Sequence, residues 1–291
     1  MKCAAVLYYR KDFSEGFDMD KNEVKALLMN IFSKAPDNRL PGEGARPIYD
    51  RPLIGFGAAE DRLFDDFKNP DIIGPWHMKP VEWLEGAKCV ISLFYPFSAE
   101  VRDAHRKSQE GIAFEWLWAR VEGQALLDSM MEQARQELQA LGIRAVVPAI
   151  DPRFKAMQGG KGGIQGYAEI NENSFGSTWS ERHAAYVCGL GTFGLSKGII
   201  TEKGMAGRFA SLILDLELEA DLRPYTGVYD YCSKCGACIR RCPVNAISIE
   251  KGKDHNICGP WVDQSKITYA PRYGCGLCQT GVPCEYSRPK V

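Results

Sequence analysis

The sequence predicts an α+β protein with a large mixed α/β domain, residues 1–225, and a small ferredoxin-like domain, residues 226–291. Helix-like and strand-like periodicities of apolar residues alternate up to about residue 225. Beyond it, cysteine, glycine and proline dominate and the periodicity fades. A chain of 291 residues is long enough for one large or two moderate domains. We therefore expect a domain boundary between Arg223 and Tyr229.

The first half of the large domain predicts two strands and two helices. MKCAAVLYY indicates a short strand, residues 35–52 are rich in Pro and Gly and predict a loop, and residues 89–97 form an apolar run of buried-strand length. One long helix is predicted over 115–142, where Gly142 is placed to end it. An earlier amphipathic helix is indicated by apolar residues at i, i+3, i+4 and i+7: Val24, Leu27, Leu28 and Ile31.

The second half predicts strand, loop, helix and strand. IRAVVPAI (143–150) indicates a strand, and QGGKGGIQG (158–166) a flexible loop. Thr178 and Glu181 fit the capping-box pattern, which predicts a helix over about 179–188. Apolar and polar residues alternate over 212–218, which is typical of a strand with one buried face.

Overall charge and hydropathy exclude several classes of protein. The 36 basic and 37 acidic side chains nearly balance, which argues against a polyanion-binding surface and so against nucleic acid as a partner. No uninterrupted run of about 18 apolar residues is present, and the N-terminus does not resemble an export signal. We expect a cytoplasmic protein with no membrane partner. The eleven cysteines are then more readily metal ligands than disulfides.

The strongest chemical signal is the spacing C-x2-C-x2-C-x3-C-P in DYCSKCGACIRRCPVNAIS. Such a run holds [4Fe–4S] clusters, and its fourth cysteine ligates the other cluster in two-cluster ferredoxins. That convention requires four further cysteines, and the last sixty residues supply them. The first predicted cluster set is Cys232, Cys235, Cys238 and Cys284. The second predicted cluster set is Cys242, Cys258, Cys275 and Cys278.

Structural zinc is the alternative for these cysteines. Zinc sites usually show two CxxC pairs separated by roughly a dozen or more residues, whereas this run is compressed and is followed by Pro243. The spacing therefore favours two [4Fe–4S] clusters. Cys3, Cys89 and Cys188 lie in apolar surroundings and are interpreted as core thiols.

The segment GLGTFG (189–194) matches the dinucleotide fingerprint G-x-G-x-x-G by letter. That motif needs a preceding strand and a following helix. Here the preceding segment is predicted helical and LSKGIITEKG is poor helix material. The segment therefore fits a glycine elbow better than a dinucleotide-binding loop. Such an elbow either approaches a flat ligand closely or only ends a helix.

These segments together carry a family resemblance. SERHAAYVCGLGTFGLSKGIIT, GRFASLILDLEL and the eight-cysteine tail resemble the epoxyqueuosine reductase family and, more distantly, the corrinoid reductive dehalogenases. VEWLEGAKCVISLFYPF also looks like their N-terminal strand region, so the likeness covers roughly residues 50–291. The resemblance implies a nitroreductase-like, corrinoid-binding α/β domain followed by a double [4Fe–4S] domain. It also implies base-off cobalamin without a protein histidine on cobalt, and the signature D-x-H-x-x-G of His-ligating corrinoid proteins is absent. Cofactor-binding residues implied by the resemblance are Gly189, Gly191, Thr192, Gly194 and Ser196.

The sequence departs from the family at the general acid and near its end. The epoxyqueuosine enzymes carry an aspartate seven positions before the arginine, where this chain has Phe175. Asp151 is the first candidate to replace it, because opening an epoxide needs an acid within hydrogen-bond reach. Cys278 and Cys284 are separated by five residues instead of the usual three, and the tRNA-binding helical repeat and the dehalogenase export signal have no counterpart. Other candidates for the acid are Tyr167, Glu169, Glu172 and His183.

The resulting hypothesis is a cobalamin-dependent iron–sulfur oxidoreductase acting on an unidentified small molecule. An external donor such as ferredoxin or flavodoxin would reduce the clusters, which would reduce cobalt to Co(I). Two alternatives stay open at this stage. One is an electron-transfer protein that activates the corrinoid of a partner protein. The other is a protein that binds and delivers cobalamin without a substrate of its own.

Overall fold

The computed structural model describes residues 19–108, 111–158 and 175–290. The predicted strand MKCAAVLYY and most of the loop QGGKGGIQG lie outside these ranges. The described helices are α1 Lys21–Ser33, α2 Leu63–Asp66, α3 Pro80–Trp83, α4 Ala99–Lys107, α5 Phe114–Ala140, α6 Glu181–Val187, α7 Ala237–Arg240 and α8 His255–Thr268. The described strands are β1 Leu53–Ala58, β2 Cys89–Pro96, β3 Ala145–Val146, β4 Ala156–Gln158, β5 Phe175–Ser177, β6 Gly191–Phe193, β7 Ile199–Thr201, β8 Gly207–Leu214, β9 Ile247–Ser248 and β10 Gly252–Lys253.

A four-stranded antiparallel sheet forms the centre of the large part, in the order β1-β2-β8-β3. Strand β2 is buried along its whole length, as its apolar sequence predicts, and pairs with β8 from Cys89 opposite Leu214 to Pro96 opposite Gly207. Three two-stranded ladders, β4-β5, β6-β7 and β9-β10, lie outside this sheet. The mixed α/β architecture expected from the sequence is confirmed.

Strand β8 is buried on both faces, so the prediction of one buried face is wrong. Leu212 and Leu214 belong to the apolar core that includes α1 and α5, whereas Ile213 belongs to the opposite core around Trp179 and α6. The alternation that suggested a polar face comes from Asp215 and Glu217, which follow the end of the strand. Each buried Leu or Ile here contributes roughly 1.5–3 kcal/mol, so both cores hold the sheet.

Helices α1 and α5 confirm the periodicity from which they were predicted. In α1 the carboxylate of Asp20 accepts the backbone N–H groups of Asn22 and Glu23, and the Glu23 carboxylate accepts that of Asp20. This reciprocal cap fixes the start of the helix. Gly142, with φ of 83°, follows the end of α5 as predicted.

Two local predictions in the second half need correction. The capping box of Thr178 and Glu181 is absent, because Ser180 is the N-cap residue of α6 and the Thr178 hydroxyl donates to the Arg153 carbonyl at 3.2 Å. IRAVVPAI forms a strand only at β3. It then makes a single 3₁₀ turn, Pro148–Ile150, because proline has no N–H to donate to a ladder.

The cysteine-rich tail packs directly on the large part. The Thr192 hydroxyl accepts the N–H of Tyr231 at 2.9 Å, and the Met205 N–H donates to the Cys284 carbonyl at 2.9 Å. The Arg272 guanidinium pairs with the Glu122 carboxylate of α5. Within the described ranges, no helix combines the length and the apolar character needed to cross a bilayer.

Candidate functional site

Four cysteines of the tail line one cavity of about 20 Å³, here called the outer cavity. Lys234 and Gly236 have φ of 51° and 70°, so the chain turns sharply twice between successive cysteines. These turns place the sulfurs of successive cysteines around the same cavity. Cys235 is exposed and the other three cysteines are partly buried. The cysteines of the outer cavity are Cys232, Cys235, Cys238 and Cys284.

The other four cysteines line a second cavity of about 140 Å³, here called the inner cavity. One of them precedes the 3₁₀ turn Leu277–Gln279, one lies within it, one follows α7 and one belongs to α8. Gly276, with φ of 81°, lies so close to the Trp116 ring that a Cβ atom there would overlap it. The side chain of Trp116 and the tight turn therefore form one wall. The cysteines of the inner cavity are Cys242, Cys258, Cys275 and Cys278.

The two cavities thus separate the cysteines into the two sets predicted from sequence. Among the described residues, no three His, Cys, Asp or Glu side chains come close enough to hold a single metal ion. Each set instead surrounds a cavity with four sulfur donors, a donor set that suits iron–sulfur clusters.

Burial makes these thiols poor acids on their own. Burial, together with the charges of neighbouring cysteines, raises the pKa of Cys238 to about 11 and that of Cys284 to about 12. Burial also raises the pKa of Cys258 and Cys275. Clustered thiolates are therefore unstable here without a cation, whereas a coordinated thiol is deprotonated outright.

A cleft of about 360 Å³ adjoins the inner cavity, because Lys253 lines both. Its walls come from β5, α6, the segment 193–197 and the start of α8. The residues of this cleft are Ile72, Ile73, Gly176, Ser177, Ser180, Arg182, His183, Phe193, Lys197, Lys251, Lys253, Asp254, His255 and Asn256.

Two neutral imidazoles and a fixed guanidinium dominate the polar lining of the cleft. His183 Nδ1 lies 2.8 Å from the Ser180 hydroxyl oxygen. Burial and the charge of Arg182 lower the pKa of His183 and of His255 to about 3, so both rings are neutral at physiological pH. The Arg182 guanidinium donates to the Lys197 carbonyl at 2.7 Å, while burial lowers the pKa of both side chains.

The glycine elbow packs mainly against protein. It follows helix α6 and leads into strand β6. This order agrees with the prediction that the segment lacks the preceding strand and following helix of a dinucleotide-binding motif. A Cβ atom at Gly191 would overlap the Ile200 carbonyl, and one at Gly189 would lie 2.8 Å from the Leu222 carbonyl oxygen. The Thr192 hydroxyl accepts a hydrogen bond from the Tyr231 N–H. Of the elbow residues predicted to contact a cofactor, none is among those that line the cleft; Gly194 and Ser196 line the outer cavity.

The position of Asp151 does not support a role as general acid. Its carboxylate pairs with the Arg153 guanidinium at 2.7 Å, and that hydrogen bond lowers its pKa, so it is ionised at neutral pH. Asp151 is not among the residues that line the cleft. The backbone of Phe175 pairs with Gln158, and the next two residues, Gly176 and Ser177, line the cleft. The other candidates Tyr167, Glu169 and Glu172 lie outside the described residues.

Sequence reasoning missed most of the polar cleft. Lys197, Lys251 and Lys253 come from two segments far apart in sequence, and no spacing pattern joins them. The sequence contains one indication of the cleft, which is that residues 251–256 lie close in sequence to the predicted ligand Cys258.

A comparison with protein families supports iron–sulfur binding by the cysteine-rich segment. Residues 225–248 match the family model described as a 4Fe-4S binding domain. The chain therefore carries a 4Fe–4S binding domain. An epoxyqueuosine reductase from Leadbetterella byssophila is a relative in sequence. It is 34% identical over 113 residues, which cover 35% of this chain and 36% of the relative. The aligned stretch thus spans about one third of each protein.

Solved structures show the same fold around the 4Fe–4S binding domain. Epoxyqueuosine reductase from Streptococcus thermophilus aligns with a TM-score of 0.51 and 17% identity, covering 93% of this chain and 68% of that chain. A catabolic reductive dehalogenase aligns with a TM-score of 0.50 and 15% identity, covering 92% of this chain and 37% of that chain. The predicted resemblance to both groups is confirmed.

A further solved structure is relevant to the possible binding partners of this protein. An epoxyqueuosine reductase solved with a tRNA-Tyr stem loop aligns with a TM-score of 0.51 and 18% identity over 92% of this chain and 68% of that chain. The shared fold therefore does not exclude nucleic acid, although the charge balance of this sequence argues against it.

Proposed function

We propose that this protein is an iron–sulfur oxidoreductase in which two [4Fe–4S] clusters pass electrons to cobalamin held beside the cleft. The observation that carries the proposal is the division of eight interleaved cysteines between two cavities, four to each. The division follows the ligand exchange of two-cluster ferredoxins. The outer cavity takes one cluster and the inner cavity the other.

The two clusters have different neighbours. Cys235 in the outer cavity is exposed, whereas Cys278 in the inner cavity is buried and Lys253 joins that cavity to the cleft. Electrons therefore enter at the outer cluster and leave from the inner one. Four exposed cations around the entry point attract an acidic donor protein such as ferredoxin or flavodoxin. These cations are Lys234, Arg240, Arg288 and Lys290.

The residues of the cleft suit part of a corrinoid. The volume of about 360 Å³ lies within the range of small-molecule sites, roughly 300–1,000 Å³. A whole cobalamin is larger, so the described walls would enclose only part of it. Lys251, Lys253 and Asn256 offer hydrogen-bond donors to its amide oxygens. When bound and reduced, cobalamin supplies a strongly nucleophilic cobalt centre.

The protein's own residues orient the ligands and exclude water. Phe193 and Ile73 supply apolar walls, and the elbow residue Gly191 allows β6 to approach β7 closely. We propose that Phe193, rather than the glycines, provides the elbow's contact with the cofactor. The Ser180 hydroxyl, held 2.8 Å from a neutral His183, is the polar O–H group best placed to position a proton in the cleft.

The architecture that serves this function has two units. We propose that residues 1–225 form a nitroreductase-like cobalamin domain and residues 226–291 the ferredoxin-like double-cluster domain. The sheet β1-β2-β8-β3 with α5 and α6 on its two sides supports the first assignment, and the clustering of all eight cysteines after residue 231 supports the second.

Iron and corrinoid analysis of anaerobically purified protein tests the proposal. We expect about eight iron atoms per chain, by four per cluster, and cobalamin bound after reconstitution. Cys235→Ser and Cys278→Ser should each lower the iron content by about four atoms per chain, because each removes one ligand of a different cluster. Cys89→Ser, in the apolar core, is the matched control and should retain all the iron.

Three outcomes would contradict parts of the proposal. Zinc in place of iron, or about four iron atoms in the unchanged protein, would exclude two clusters. Full iron without affinity for any corrinoid would exclude the enzyme and leave an electron-transfer protein. Cobalamin that is bound and then readily passed to another protein would favour a carrier.

A further inference from the structure

The cleft carries an excess of positive charge. Four of its lining residues are cationic, and Asp254 is the one carboxylate among them. That carboxylate already accepts the N–H of Asn256 at 2.8 Å, as the N-cap of α8. The four cations are Arg182, Lys197, Lys251 and Lys253.

These cations are not neutralised by ion pairs within the part of the chain that the structure describes. The ion pairs formed there involve other residues. Like charges held together in a partly buried cleft repel one another, and the Arg182 charge contributes to lowering the pKa of Lys197. An anion in the cleft would relieve this repulsion.

Arg182 is the fixed element of the group. Its Nη1 donates to the Lys197 carbonyl at 2.7 Å, which sets the direction of the guanidinium plane at the wall of the cleft. Lys197 itself has φ of 57°, an uncommon value for a residue with a side chain. A planar guanidinium recognises two oxygen atoms at once, as in carboxylates and phosphates.

We propose that the cleft binds the carboxylate or phosphate group of a small anionic substrate, with Arg182 and Lys197 as its principal contacts. The inference rests on the proposed function, because the substrate must lie beside the inner cluster and its cofactor. Ser180 and His183 then lie on the same wall as the anion site. The phosphodiester of cobalamin offers the same chemistry, so the test must distinguish the two sources.

Binding measurements on the anaerobically purified holoprotein test the proposal, with inorganic phosphate, succinate and the neutral succinamide as probes. We expect succinate or phosphate to bind and succinamide not to bind. Arg182→Gln and Lys197→Gln should weaken anion binding about tenfold or more, the loss typical of a charged hydrogen bond. The exposed Lys34→Gln, which removes the same charge from the C-cap of α1, should bind as the unchanged protein does.

Corrinoid binding separates the substrate from the cofactor. Cobinamide lacks the phosphodiester of cobalamin. If the two variants weaken cobalamin but not cobinamide, the anion site belongs to the cofactor and the proposal is overturned. Equal binding of succinate and succinamide, or no binding of either anion, also overturns it. Both variants should keep full iron; lost iron or corrinoid in the unchanged protein would instead count against the proposed function.

Discussion

Glu181, at the first turn of α6, has a buried carboxyl group. Neither of its oxygens has a hydrogen-bond partner among the described residues, since the nearby Trp179 indole donates to the Ser211 hydroxyl at 2.9 Å. Burial raises the pKa of Glu181 to about 7. The side chain is therefore largely protonated below neutral pH.

This burial predicts a pH dependence of stability. The folded-state pKa lies above the unfolded value, so the stabilising contribution is complete below about pH 4.5 and is lost as the pH rises towards about 7. Glu181→Gln should flatten this decline and stabilise the protein at pH 8 by on the order of 3 kcal/mol. Thermal unfolding of anaerobic holoprotein at pH 6 and pH 8 measures the effect.

The exposed Glu217→Gln is the matched control and should leave the pH profile unchanged. If Glu181→Gln and Glu217→Gln behave alike, the Glu181 carboxyl is hydrated or paired in solution and this account of its burial is wrong.

Residues differ in how far the sequence could predict their roles. The division of the cysteines between the two cavities agrees with the sequence pattern, because cluster ligands have short local spacings and exchange the fourth cysteine. Arg182, Lys197 and Lys253 meet only through tertiary structure. Asp151 stays a prediction, because the sequence alone does not show that its carboxylate pairs with the Arg153 guanidinium.

At the scale of elements, the turn around Gly276 connects the long helix α5 to the inner cavity. Its φ of 81° and its contact with Trp116 leave no room for a side chain. Gly276→Ala should therefore displace the turn that carries Cys275 and Cys278, and should lower iron by about four atoms per chain. Iron analysis and visible absorbance of the anaerobic protein measure the loss.

Gly44→Ala separates steric overlap from backbone strain. Gly44 has φ of 88°, and no heavy atom lies within 4 Å of a Cβ atom there. Both substitutions carry a left-handed penalty of roughly 1–2 kcal/mol, but only Gly276→Ala meets a ring. Equal retention of iron in the two variants would show that the turn can move away from Trp116.

Long elements were better predicted than short ones. Helices α1 and α5 and strand β2 have enough periodic residues for the pattern to decide. Strand β8 was assigned the wrong number of buried faces, because the second core around Trp179 and α6 is formed by residues remote in sequence. Strand β3 is shorter than the predicted strand 143–150, because Pro148 has no N–H to donate to a ladder.

At the scale of the whole molecule, Arg106 of α4 and Glu285 of the tail join the two parts. The Glu285 side chain is only 1% exposed and accepts from Arg106 at 2.6 and 3.1 Å and from the Gly281 N–H at 2.6 Å. Its backbone carbonyl accepts the N–H of Ala206 at 3.0 Å. Because Cys284 is the preceding residue, this contact also fixes a wall of the outer cavity.

Removing the Arg106 guanidinium leaves the buried Glu285 carboxylate without its ion-pair partner. Arg106→Gln should destabilise the protein by roughly 2–3 kcal/mol, below the value for a fully buried pair because Arg106 is partly exposed. It should also make the outer cluster easier to lose. Anaerobic thermal unfolding and the rate of iron release to a chelator measure the two effects.

The double variant Arg106→Gln/Glu285→Gln should recover part of the lost stability, because no uncompensated charge remains. Arg135→Gln, which breaks a surface pair with Glu132 within α5, should cost about 0.5 kcal/mol or less. An effect of Arg106→Gln as small as that of Arg135→Gln would contradict a role in joining the two parts.

The exposure of Cys235 has a consequence for survival in air. The opening that lets a donor reach the outer cavity is equally open to dioxygen and peroxide, which attack accessible sulfur first. The deeper set, with Cys278 buried, is shielded by the protein around it. The molecule therefore has a vulnerable end and a sheltered end, and its working life depends on an anoxic surrounding or on a partner that covers the vulnerable one.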